Sequence, residues 1–157
     1  MSWLFCRPFL VADVRLLGAA FDPAAEMSCF TAALPEAGGI VSFLGQVRCG
    51  EGVEALELRH YAPLTLPGME ALAAQAEARW KLDGLLVIHR TGAMLPGEPI
   101  VLVAVAARHR RDAFAAAEYT MDHLKSDMWF WKREKIGGTW RWIEPRAVDY
   151  ADLERWS

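Results

Sequence analysis

The chain has 157 residues, of which 54% are hydrophobic and 24% charged, with a formal net charge of −3. That length fits one domain able to bury a core, and the acidic balance excludes broad binding to nucleic acid or anionic membrane, which needs an extended basic face. Three scattered cysteines (Cys6, Cys29, Cys49) fit a reducing cytosol rather than a disulfide framework, and the start lacks a basic n-region, so a cytoplasmic protein is expected. No run approaches the ~20 apolar residues of a membrane span.

One or two short strands are expected between Phe5 and Leu17. Asp22 as N-cap and Pro23 at the first helical position predict a helix reaching about Leu34. Gly38-Gly39 opens a strand from Ile40 to Arg48, in which Gly45 marks a bulge or a close backbone approach. A turn, Cys49 to Gly52, leads into a half-buried alternating strand, Val53 to Tyr61. Ala62 to Gly68 reads as a Pro-rich loop, and Met69 to Leu82 as an Ala-rich amphipathic helix. Two apolar strands follow, Leu85 to Gly92 and Glu98 to Ala107, joined around Pro96-Gly97. The second is apolar throughout and is expected at the centre of a sheet.

Asp112 as N-cap, with Phe114, Ala117, Met121 and Leu124 at helical spacing, predicts a helix over Asp112 to Lys125. MWFWKREKI and TWRWIE, separated by Gly137-Gly138, predict a hairpin, because two glycines tolerate the positive φ of a tight turn. Strands and helices alternate, with some strands joined directly, so the fold class expected is α+β (mixed α/β) in a single domain spanning 1–157.

Charge is unevenly spread. Residues 108–146 hold nine Lys/Arg against six Asp/Glu, a balance of +3, and the rest of the chain is at −6. His109, Arg110 and Arg111 precede a helix, where free N–H groups and the dipole favour an anion. Lys125 lies at that helix's other end and Lys132 in the next strand. A single Lys or Arg is usually a solvated charge. Here Lys125 and Lys132 bracket an apolar run able to hold their stems, and a lysine half-buried beside other cations becomes a candidate acid, base or nucleophile. The pattern suggests a pocket for a small anion.

Other chemistries find less support. The four histidines are never paired at helical spacing and no cysteine cluster joins them, so no metal site is read. His60 and His89, inside strands, read as structural. Neither a serine-nucleophile elbow nor a phosphate-binding glycine loop is present. Cys49, next to Arg48, is either a stabilised thiolate or a small turn residue.

Several segments, in order, carry a resemblance: GGIVSFLGQVR (38–48), LELRHY (56–61), VIHRTGAMLPGE (87–98), ARHRRDAF (107–114), MDHLKSDMWFWKRE (121–134) and WIEPR (142–146). Over roughly residues 20–148 the chain resembles the large, catalytic subunit of molybdopterin synthase. The resemblance implies a hammerhead-like α/β core with an added antiparallel β-hairpin subdomain. It also implies a sulfurtransferase that converts precursor Z, a cyclic pyranopterin monophosphate, into molybdopterin. The two sulfurs come from the thiocarboxylated C-terminal glycine of a small ubiquitin-like partner subunit, and no cofactor is implied. Family members form a homodimer of large subunits within a heterotetramer, with pockets drawing on both large subunits.

Carried over by motif, Lys125 and Lys132 fall on the family's essential lysines. Arg48, His109 and Arg110 fall on substrate-anion contacts, and Arg146 on a further pocket arginine. Phe43, Gln46, Val47, Met121, Arg133 and Glu134 fall on the cavity lining. The loop after Tyr61 departs by its length, and CGEG (49–52) by its shortness. The tail YADLERWS is assigned either to partner docking or to a loose end. Three rival readings stand beside this one: a single-stranded nucleic-acid module using the Trp/Arg-rich hairpin, an enzyme carrying its own sulfur on Cys49, and a non-catalytic scaffold paralogue, against which retention of both lysines argues.

Overall fold

The structure, a computed structural model, describes residues 11–126 and 129–157. In chain order its elements begin with β1 (Ala12–Leu17), α1 (Pro23–Ala33), β2 (Gly39–Gln46), β3 (Val53–His60) and α2 (Ala62–Arg79). Next come β4 (Leu82–Arg90), β5 (Gly92–Met94), β6 (Pro99–Ala107) and α3 (Arg110–Ser126). The last are β7 (Phe130–Ile136), β8 (Thr139–Ile143) and α4 (Ala147–Glu154). Strands expected before Val11 lie outside the described residues.

Two four-stranded sheets form, in the orders β1-β4-β6-β2 and β5-β3-β7-β8. Among the described residues only β1 and β4 pair in parallel, and the other pairings are antiparallel. The α+β expectation therefore holds. The expected hairpin, β7–β8, is widened into a full sheet by β3 and β5. Gly137 and Gly138 both take positive φ at its turn, 56° and 75°.

The apolar run of β6 is central, as its composition requires. Alternation splits it between two cores. Val101, Val103 and Val105 pack with Leu85 and Val87 under Met69 and Leu72 of α2 and Ala113, Ala116 and Leu124 of α3. Leu102, Ala104 and Ala106 pack with Leu86, Ile88 and Phe30 of α1 on the other side. Each large side chain buried this way contributes roughly 1.5–3 kcal/mol. A third cluster, Val47, Leu58 and Met94, ties the two sheets together with help from Ile100 and Phe130.

Four local expectations are corrected. The segment 62–68 is not a loop but the first turns of α2. Pro63 sits in the first turn, where its missing N–H would be unpaired anyway, so the helix tolerates it. The buried Thr65 hydroxyl donates to the Trp129 carbonyl at 2.9 Å, and Gly68 lies against the Trp129 ring, so tertiary contacts fix this turn. Second, α3 starts before Asp112: the His109 carbonyl accepts from the N–H groups of Asp112 and Ala113, which puts Asp112 in the first turn. Third, Phe114 is 63% exposed, and the buried stripe of α3 is small instead: Ala113, Ala116, Ala117 and Thr120. Fourth, the tail is not loose. It folds as α4 and returns Trp156 edge-on to Trp80 and Tyr119, with its indole N–H donating to Asp122 at 2.7 Å.

The glycine just before β2 has a steric cause. A Cβ on Gly38 would stand 2.0 Å from the Arg108 carbonyl oxygen, so the strand's start can tuck under the corner leading into α3 only without a side chain. Gly45 meets its expectation as well, since the β2–β6 register shifts between Gly45 and Gln46.

Candidate functional site

Helix α3 returns antiparallel to β6 and covers β2, so its two ends mark opposite ends of the first sheet. Lys125 is exposed on its last turn, with the half-buried Met121 one turn earlier on the same face. Lys132 lies in β7, opposite Leu58 of β3 and Ile143 of β8. Its ammonium has its pKa lowered from the usual lysine range, first by burial and next by the charge of Lys125. Arg146 pushes the same way and Asp149 opposes them. The residue as a whole is exposed, so the burial that lowers it is local to the ammonium end. The fold thus gathers Lys125, Lys132 and Arg146 into one cationic cluster.

Asp149 belongs to that cluster and had no signal in the sequence beyond being an acid among bases. Its carboxylate accepts from the Arg146 backbone N–H at 3.1 Å, which starts α4 beside the lysines. The buried Ser126 hydroxyl donates to the Asp149 carbonyl at 2.5 Å and ties the end of α3 to the same turn.

Strand alternation divides the segment 132–134 between two faces. Glu134 shares the face of Lys132. Arg133 points the other way, ion-paired with Glu57, its guanidinium 4.6 Å from the Trp140 ring and 5.6 Å from the Trp142 ring. That hydrogen bond holds the Glu57 carboxyl below the usual carboxylate range. Arg133 therefore lies on the sheet face opposite Lys132, engaged with Glu57 and the two tryptophans. The Trp/Arg pattern that suggested base stacking is also engaged internally, since Arg59 lies 5.7 Å from the Trp142 ring as well.

The remaining residues spread along β2. Phe43 is 42% exposed on this edge strand, and Gln46 ends it in solvent. Val47 is buried with Leu58 and Met94, so its side chain packs in the core. Arg48 is exposed just beyond. His109 and Arg110 are exposed at the opposite end, where Gly39 approaches the Arg110 backbone. From Arg110 to Lys125 the helix rises about 22 Å. One chain's fold therefore does not bring the His109–Arg110 pair to the lysines.

Among the described residues no group of three or more His, Cys, Asp or Glu is placed to hold a metal. No described helix is long and apolar enough to cross a membrane. A depression of about 540 Å³ lies elsewhere, lined by Val11, Ala12, Glu77, Trp80, Lys81 and Leu82, and includes none of Lys125, Lys132, Arg146, Arg48, His109 and Arg110.

Residues 18–127 match the family described as MoaE protein. A molybdopterin synthase catalytic subunit from Cereibacter sphaeroides is 46% identical over 137 residues, covering 87% of this chain and 94% of that protein. The chain belongs to the MoaE family. Another catalytic subunit of this family, from Ralstonia nicotianae, is 43% identical over 146 residues, covering 91% of this chain and 83% of that one. The solved structure of a molybdopterin biosynthesis MoaE protein from Burkholderia ambifaria aligns with a TM-score of 0.78 at 41% identity, covering 92% and 97% of the two chains. Membership makes this a molybdopterin synthase catalytic subunit, an enzyme of molybdenum cofactor biosynthesis.

Proposed function

We propose that this MoaE-family chain converts precursor Z into molybdopterin, taking two sulfurs from the thiocarboxylated C-terminal glycine of a small ubiquitin-like subunit. The observation that carries the reading is the meeting of Lys125 and Lys132, from different elements, closely enough that one lowers the other's pKa. Attack by a thiocarboxylate builds negative charge on oxygen, and cations already fixed in place stabilise that charge most where water is scarce. Lys125 is the main catalytic group, stabilising that charge or shuttling a proton. Lys132, with its depressed pKa, assists and helps to hold the incoming carboxylate tail, together with Arg146.

The cyclic phosphate of precursor Z needs its own donors, and His109, Arg110 and the α3 N-terminus suit it. At about 22 Å from Lys125 they cannot serve the same substrate within one chain. A second copy of the chain supplies them, so that each site pairs one copy's lysines with the other's cradle. Two surface features support such a dimer. Phe114 is exposed one turn beyond Arg110, and β2 is an unprotected edge strand showing Phe43 and Leu44. The small sulfur-carrier subunit then completes a heterotetramer.

Incubation with precursor Z and the thiocarboxylated small subunit, followed by detection of the oxidised pterin product, tests the reading. Lys125→Ala should abolish dithiolene formation and leave the complex with the small subunit intact on a sizing column. Normal turnover in that variant would defeat the assignment.

A further inference from the structure

His89 is the one histidine among the described residues held inside the core, 6% exposed, on the face of β4 that packs beneath α2 and α3. Its Nδ1 lies 3.1 Å from the Arg90 carbonyl oxygen. A carbonyl can only accept, so Nδ1 carries the proton and the neutral ring is fixed in one tautomer and one orientation. The ring lies flat on Phe130, with centroids 3.9 Å apart and planes 18° from parallel. Phe130 opens β7 two residues before Lys132, so the two share a face of that strand. His89 is also near enough to Lys132 for the lysine's charge to act on it.

We propose that His89 is a positioning residue: by stacking on Phe130 it anchors the first residues of β7 and holds the Lys132 ammonium beside Lys125. The role requires a flat, neutral ring. A charged imidazolium there would stand inside the core and add a further positive charge next to Lys132. The environment enforces neutrality, since burial pushes the His89 pKa down to about 4, with Lys132 acting in the same direction. The charges that then set the Lys132 ammonium are Lys125 and Arg146 against Asp149. This inference rests on the synthase reading for its effect on turnover, but not for its effect on Lys132 itself.

The test follows the lysine directly. In full-length protein carrying 13Cε-labelled lysine, the Lys132 signal, assigned with Lys132→Arg, is titrated by NMR in wild type, His89→Phe, His89→Ala and Phe130→Leu. Wild type and His89→Phe should both titrate below the ordinary lysine range. His89→Ala and Phe130→Leu release the start of β7, so that Lys132 moves away from Lys125, and should raise the titration toward the ordinary lysine range. With the small subunit and precursor Z, His89→Phe should keep kcat, whereas the two stack-breaking variants lose roughly ten- to a hundredfold in kcat with little change in KM. An unchanged Lys132 titration in Phe130→Leu and His89→Ala would overturn the proposal. So would a His89→Phe variant that is folded by circular dichroism yet as impaired as His89→Ala, because the imidazole would then be acting by its nitrogens and not its ring. Should the titration move while Lys132→Ala still turns over normally, the positioning stands and the catalytic reading of the lysines falls.

Discussion

Mixing two inactive variants gives the sharpest test of a site shared between copies. Lys125→Ala removes the proposed catalytic group at one end of α3, and Arg110→Ala the proposed phosphate donor at the other, about 22 Å away along the same helix. If each site combines the lysine end of one copy with the cradle of the other, a mixed dimer holds one site with both lesions and one with none. Co-expression in equal amounts makes half the dimers mixed, so roughly one quarter of wild-type turnover should return. The converse mixture separates the alternatives further. Wild type co-expressed with the Arg110→Ala, Lys125→Ala double variant should keep roughly one quarter, because each mixed dimer then has two damaged sites. A site contained within one chain would keep roughly one half in that second mixture and restore nothing in the first. Turnover is read as oxidised pterin product, and differential affinity tags confirm that subunits have exchanged. No recovery in the first mixture, with exchange confirmed, would refute the shared site.

Three further outcomes are expected. Because His89 titrates near 4 when folded and near the ordinary 6.5 when unfolded, the unfolded chain binds the extra proton between those values, so stability falls as pH drops from about 6.5 to 4, by at most about 3 kcal/mol. Urea melts across that window should show a shallower slope for His89→Phe than for wild type; equal slopes would contradict the assignment. Gly38→Ala forces a Cβ onto the Arg108 carbonyl, so denaturant melts should show a loss of about 1–3 kcal/mol, with a raised KM for precursor Z as the His109–Arg110 corner shifts. Cys49→Ser should retain near-normal turnover under the proposed reading, in which the exposed thiol carries no sulfur to the substrate; loss of activity there would favour the rival with its own sulfur.

Local chemistry made much of this protein readable before any contact was known. Asp22 followed by Pro23 starts α1 by capping, because Asp22 can accept from Ala24 and Ala25 within its own turn. The Gly137-Gly138 hairpin is equally self-contained. The unbroken apolar run of β6 announces a central strand, since only a position covered on both sides suits it. The two lysines were visible too, because their motif is linear. By contrast, Ala62 to Gly68 looked like a loop, and its helix is secured by Trp129, 64 residues from Thr65. The tail's helix depends in the same way on Trp80, Tyr119 and Asp122, which no local pattern names.

By itself, then, the sequence determined the α+β class, the turns, the central strand and the cationic residues, all features set by neighbours within a few positions of the chain. Tertiary structure alone decided that Asp149 joins the lysines, that Arg133 faces away from them, that Val47 belongs to the core, and that the His109–Arg110 pair lies a helix length from Lys125. The physical reason is distance along the chain. Alternation and helical rise fix where each side chain points on its own element, but which elements meet depends on burial summed over the whole chain, and no single stretch encodes that sum.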